Sequence, residues 1–222
     1  MTDCACIQNW CHDRNSAEPQ LHLQRQDTHS RAWQHMLELV EEAAEDSRKV
    51  FAPSQALGSE WAQILTLPAS IAKLKRVRQL DLHGSRLVRV PPEIGDMAEL
   101  REFDAYTSYS LHWLPYEITR CPRLKESTVS TRALYGNFKH RPHFPRLPRL
   151  DDSITPAVCS VCRQPFNGSV PQQWWISLRV ATDVLPLLVH ACSDDCVRRL
   201  PRPARDYVQS PHQGGSGLQQ PK

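Results

Sequence analysis

Residues 67–124 can be laid over themselves at an offset of 23. Leu67, Ile71, Leu74, Val77, Leu80 and Leu82 then fall on Val90, Ile94, Met97, Leu100, Phe103 and Ala105. A third pass, one residue longer, contributes Leu114, Ile118, Cys121 and Leu124. Each pass opens on an apolar residue followed by proline: Pro68, Pro91 and Pro115. A unit this short has no partner for its apolar side within itself. Self-similarity at this period therefore predicts stacked turns, each burying its apolar face against its neighbours.

The segment LPASIAKLKRVRQLDLHGSRL (67–87) follows the pattern LPxxIxxLxxLxxLxLxxN and so resembles the leucine-rich repeat family in its short form. Ser85 stands where that family carries an asparagine that bonds the turn backbone, a role serine fills more weakly. The second repeat holds an extra residue around 108–110. The resemblance covers about 70 residues, 67–136, and many positions agree at once. The stretch LYGNFKHRPHFPRL that follows looks like small bacterial repeat proteins. The resemblance implies an α/β fold: a short leucine-rich repeat solenoid, horseshoe-shaped, with strands on its concave side. It implies a binding surface and does not say for what.

Composition narrows the classes. The 222 residues leave room for one ordinary domain or two small ones. With 18 prolines and 8 glycines, connectors are expected to be Pro-rich. A net charge of +3 is too small to imply a nucleic-acid partner by itself. No apolar run approaches the ~20 residues that cross a bilayer, and MTDCACIQNW is no secretory signal. The expectation is a cytoplasmic chain without a membrane, in which cysteines serve as thiols or metal ligands rather than disulfides.

Along the chain, 1–28 reads as a disordered segment, with Cys4, Cys6, Cys11 and His12 either a second metal site or reactive thiols in a tail. The spacing predicts a helix over 30–51, with Trp33, Met36, Leu37, Val40, Ala43, Ala44 and Phe51 on its apolar face. Ser30 would cap it and Pro53 stop it. Its role is to cover the open end of the first repeat, within a 29–138 unit; partner binding or dimerisation is the alternative. Residues 56–63 read as a degenerate extra repeat, with Leu57 and Ile64 aligned to Leu80 and Leu87, and Trp61 packing between cap and solenoid.

Period-two alternation points Leu80 and Leu82 inward and leaves Gln79, Asp81 and His83 on the concave face. One repeat on, Glu102, Asp104 and Tyr106 join them, and a third strand adds Glu126, Thr128 and Ser130. Carboxylates on strands ~4.8 Å apart repel one another. A protein partner with a basic segment would relieve that; an ordinary solvated face is the alternative.

Residues 139–153 form a basic, Pro-rich connector holding Lys139, Arg141, Arg146 and Arg149. A second unit, 154–201, carries Cys159 and Cys162 at zinc-knuckle spacing, then Cys192 and Cys196. Two such pairs supply four thiolates for a structural Zn2+ site; a core of reduced cysteines is the alternative, and His190 could replace one ligand. Between the pairs, 174–180 and 184–189 suit a hairpin, and Ser193, Asp194 and Asp195 open a helix. Knuckle, hairpin and helix together resemble the treble-clef class of zinc fingers. Trp174 and Trp175 are adjacent, so one faces in and the other out, a candidate contact anchor. Residues 202–222 read as a disordered tail.

No glycine-rich phosphate loop, nucleophile elbow or zinc-protease helix is found, and Cys121 occupies a leucine position, so no enzyme is expected. The leading expectation is an adaptor that binds a partner through the repeats. The runner-up is nucleic-acid binding through the zinc unit with Arg198, Arg199, Arg202 and Arg205, a charge diluted by Asp151, Asp152, Asp183, Asp194 and Asp195.

Overall fold

The computed structural model describes residues 21–137, 143–147 and 154–221. Cys4, Cys6, Cys11 and His12 lie outside them, as do Lys139, Arg141 and Arg149 of the connector. The fold is mixed α/β, with one parallel and one mixed sheet and few helices.

Helix α1 (Arg31–Glu45) buries Ala32, Met36, Leu39, Val40 and Ala43, and the Ser30 side chain accepts the Trp33 N–H at 3.3 Å. It ends earlier than its apolar spacing predicts. Ser47 adopts φ +52°, the Ser47 N–H bonds Ala44 O, and the Arg48 N–H reaches back to Ala43 O. That pair of bonds closes the last turn around a left-handed residue. Phe51 is thus released from the helix and lies in strand β1 (Val50–Phe51). Pro53 does not stop α1; it opens a second helix, α2 (Pro53–Leu57), where a missing N–H costs nothing.

Strand β1 pairs in parallel with β2 (Gln79–Asp81), which pairs with β3 (Glu102–Ala105), which pairs with β5 (Glu126–Val129). Gln79, Glu102 and Glu126 share one register position; Leu80, Phe103 and Ser127 share the next. The sequence offset is therefore the strand register. Phe51, rather than Leu57, lies beside Leu80, so 56–63 supplies no strand and folds instead into α2 and a short 3-10 segment, Gly58–Gln63. Trp61 is buried in the core shared by α1 and the stacked turns.

Three further 3-10 turns, Ala69–Lys73, Pro92–Asp96 and Tyr116–Arg120, run opposite the strands. Each is preceded by one of the recurring prolines, extended at φ −72°, −73° and −70°. Proline is held near that angle by its ring, so the corner is preset in every turn. Ile71, Ile94 and Ile118 seal the turns at zero exposure, as Leu80 and Leu82 do the strands. Each such side chain contributes about 1.5–3 kcal/mol.

The asparagine position is filled by a pair of side chains. Ser85 Oγ donates to Ser108 Oγ at 2.7 Å, and Ser108 Oγ donates to Leu82 O at 3.0 Å while accepting the Ser85 N–H. One hydroxyl from the next turn thus completes what Ser85 is too short to do.

The hairpin β6 (Gln172–Val180) and β7 (Asp183–Ala191) joins the stack directly, because β7 pairs in parallel with β4 (Leu114–Pro115) of the third turn. Ile176, Leu178, Leu185 and Leu187 belong to the same buried cluster as Leu80 and Phe103. The expected boundary at 139–153 is therefore not a boundary of the core. The hairpin turn also covers the free edge of the parallel sheet: Thr182 Oγ1 accepts the Ser127 N–H at 3.0 Å and donates to Ser127 O at 2.7 Å. An uncovered edge would invite pairing with another chain.

Two stretches expected to be disordered are packed. In 21–28, Leu21 and His22 are buried and Gln26 Oε1 accepts the Leu65 N–H at 2.7 Å. In 202–221, Trp175 and His212 exchange backbone bonds of 2.7 and 3.1 Å, so the chain runs antiparallel along β6. Few apolar residues are needed here, because strand pairing satisfies the backbone and Tyr207 and His212 are buried. A second aromatic cluster of Trp113, Tyr135, Phe144 and Trp175 joins the third turn, the connector and the hairpin. Among the described residues no helix is long and apolar enough to cross a membrane.

Candidate metal centre

The Cys159 knuckle is built by a tight turn. The Cys159 N–H bonds Gln164 O, the Arg163 N–H bonds Cys159 O, and Arg163 takes φ +64°. That left-handed residue turns the chain leaving Cys162 back so that Gln164 O meets the Cys159 N–H, a conformation more often given to glycine. The second pair flanks a helix start. Ser193 caps α3 (Asp194–Arg198), accepting the Cys196 N–H at 3.3 Å, so Cys192 precedes the cap and Cys196 sits on the first turn.

The four sulfurs lie within 4.8 Å of one another. Cys162 Sγ is 3.6 Å from Cys192 Sγ, which is 3.5 Å from Cys196 Sγ. A disulfide would need about 2.05 Å, so all four are free thiols. Four thiolates around a tetrahedral ion with metal–sulfur bonds of about 2.3 Å would stand about 3.8 Å apart. The donor set therefore fits a metal ion. Burial opposes ionisation of Cys159, but backbone N–H groups of Cys162, Val161 and Cys192 directed at its sulfur bring the thiol down to about 7. Burial pushes Cys196 up to about 12. Four like charges at this spacing need a cation to coexist.

Polar residues not singled out by sequence tie the knuckle to the stack. Arg120, on the third turn, donates from Nη2 to Ser160 O at 2.7 Å, and the Ser160 N–H bonds His190 O at 2.8 Å. His190 is not part of the sulfur cluster. It lies in β7, buried, with Nε2 3.3 Å from Gln173 Nε2, and burial holds it neutral, down at about 4. Trp174 is half-buried against the main core, so it is not a free anchor, while Trp175 is fully enclosed. Cys121 behaves as expected of an inert thiol: burial, with Asp96 nearby, pushes it up to about 12, and Sγ donates to Ile94 O.

The residues expected on the concave face do share one face of the parallel sheet. Gln79, Glu102 and Glu126 are in register, as are Asp81, Asp104 and Thr128. His83 and Tyr106 follow, their rings 5.8 Å apart. Two of the carboxylates bond their own backbone. Asp81 Oδ1 accepts the His83 N–H at 3.0 Å, and Asp104 Oδ1 accepts the Tyr106 N–H at 2.8 Å. Such bonds shape the turn leaving each strand. Ser130 departs from the expected pattern; it falls after β5 and is buried. Arg198 and Arg205 pair with Asp195 and Asp206, which leaves less free positive charge beside the thiols than the sequence suggests.

Comparison with models of known protein families and with curated proteins found no match to this chain.

Proposed function

We propose that this chain is a non-enzymatic protein-interaction module: a leucine-rich repeat solenoid that presents its sheet to a partner and is closed at one end by a zinc-stapled hairpin. The observation that carries the reading is the face of the four-stranded sheet that stays open among the described residues. Parallel sheets are almost always covered on both faces. Here one face holds the core, and the other carries Glu102 and Tyr106 in the open, with Val50 at its first strand and Tyr109 in the loop that follows β3. Exposed tyrosines next to unpaired carboxylates suit a partner that brings a basic segment. Four sulfur donors with no open position favour zinc in a structural role. On this reading the metal ties the knuckle and helix α3 together beside a hairpin whose apolar side chains already belong to the main core.

The test is capture of binding partners by the native chain and by a Glu102→Lys, Glu126→Lys, Tyr106→Ala variant. Asp81 and Asp104 are left alone because they hold turn backbone. Loss of captured proteins with an unchanged circular dichroism spectrum supports the reading. An identical partner set removes the sheet face as the binding site.

A further inference from the structure

We infer that the cavity between the proline corners of the stacked turns and strand β7 is a binding site for the ammonium group of a small organic amine. The cavity measures about 240 Å³. That is below the ~300–1,000 Å³ of sites for drug-sized ligands, so it suits a molecule of metabolite size. Val90, Pro91, Pro115 and Leu188 give it apolar walls, and Glu93 and Glu117 give it two carboxylates. The stacking itself brings these together: each glutamate follows a corner proline, Pro91 or Pro115, by two residues on successive turns.

The two carboxyls sit in a setting that disfavours their charge. Burial pushes both up, and at Glu117 the neighbouring Glu93 adds to the effect. Glu117 is 2% exposed, and its Oε1 has no hydrogen-bond partner, the Arg120 Nη2 lying 3.8 Å away. Trp113, 3% exposed, also lines the cavity. A buried acceptor without a donor is costly. An ammonium group brings three donors and a positive charge between two carboxylates. An anion would meet both glutamates. Arg89, whose Nη1 donates to Gln24 O at 2.9 Å, also lines the cavity, so with both glutamates ionised these three side chains carry one net negative charge. A metal ion is a poorer fit, since among the described residues only the four cysteines converge closely enough to hold one.

The site is separate from the sheet face and stands without the proposed function. It is tested by calorimetric titration of the full chain with n-butylamine at pH 7, beside n-butanol and sodium n-butyrate as neutral and anionic matches. Glu93→Gln is the variant of choice, because Glu117 also contacts the knuckle through Ser160. Saturable binding of n-butylamine alone, weakened ~10–100-fold in Glu93→Gln, is the expected result. Equal or tighter binding of n-butanol or n-butyrate, no saturable binding of any, or an unchanged affinity in the variant overturns the inference.

Discussion

Replacing Trp175 with alanine is expected to release the connector and the C-terminal segment while leaving the four thiols together. Trp175 has zero exposure, and its ring meets Trp113, Tyr135 and Phe144 at centroid distances of 6.0, 5.9 and 5.6 Å. A buried tryptophan hides about 200 Å², so at ~25 cal/mol per Å² its removal costs about 5 kcal/mol. The Nε1–H bond to Pro145 O, 3.1 Å long, is lost as well, a further ~1 kcal/mol. Truncations of this kind fall at about 3–5 kcal/mol when the site partly collapses, so a loss of about 4–6 kcal/mol is expected. In a chain of this length that is roughly 10–20 °C in Tm. Urea unfolding followed by circular dichroism measures the loss. Trypsin measures where it falls: Arg205 follows backbone held by the Ala204 N–H bond to Ser177 O, and cleavage after Arg205 should accelerate before cleavage within the stacked turns. A destabilisation below about 1 kcal/mol, or an unchanged cleavage pattern, refutes the claim that this ring pins the chain's end.

Ser108→Ala removes the hydroxyl shared by Ser85 and Leu82 O; leaving buried groups unpaired should cost about 2–4 kcal/mol by urea titration, and a cost near zero would return the turn to Ser85 alone. Stability should also fall with acid through His112 and His212, each lowered by burial from 6.5 to about 4. These rings stay neutral in the fold while the unfolded chain takes up protons, so their contribution is full above pH 6.5 and declines as pH falls toward 4. Two such groups give at most about 2.7 kcal/mol per pH unit. A His112→Asn variant, keeping a donor for Ala133 O, should show a slope smaller by at most about 1.4 kcal/mol per pH unit between pH 6.5 and 4 in urea midpoints; an unchanged slope would refute the assignment.

The parts of the fold legible in sequence were those written in periodic apolar residues. Leu80 and Phe103 lie in register because the repeat places them at one offset, and each proline corner recurs for one backbone angle. The cysteine pairs were legible because a knuckle and a helix start impose close spacing on the two members of each pair. Other features had no such signal. Helix α1 ends on Ser47 in a left-handed conformation, for which serine gives little notice. The β4–β7 pairing was hidden because Leu114 and Pro115 already account for themselves as a repeat corner. The C-terminal segment looked unstructured because its order comes from backbone pairing along β6 and from Gly214, where a Cβ would lie 2.0 Å from Pro145 O, rather than from apolar density. Arg120 and Glu117 carried no signal in the sequence, since nothing local places them beneath the knuckle.

Metal content per chain, by elemental analysis of the native protein beside Cys159→Ser, is the most direct measurement. One equivalent of zinc in the native chain, lost in the variant along with hydrogen-exchange protection of β6 and β7, is the predicted result. A native chain free of metal, or a Cys159→Ser chain that keeps its full equivalent, contradicts the account of how the hairpin is held.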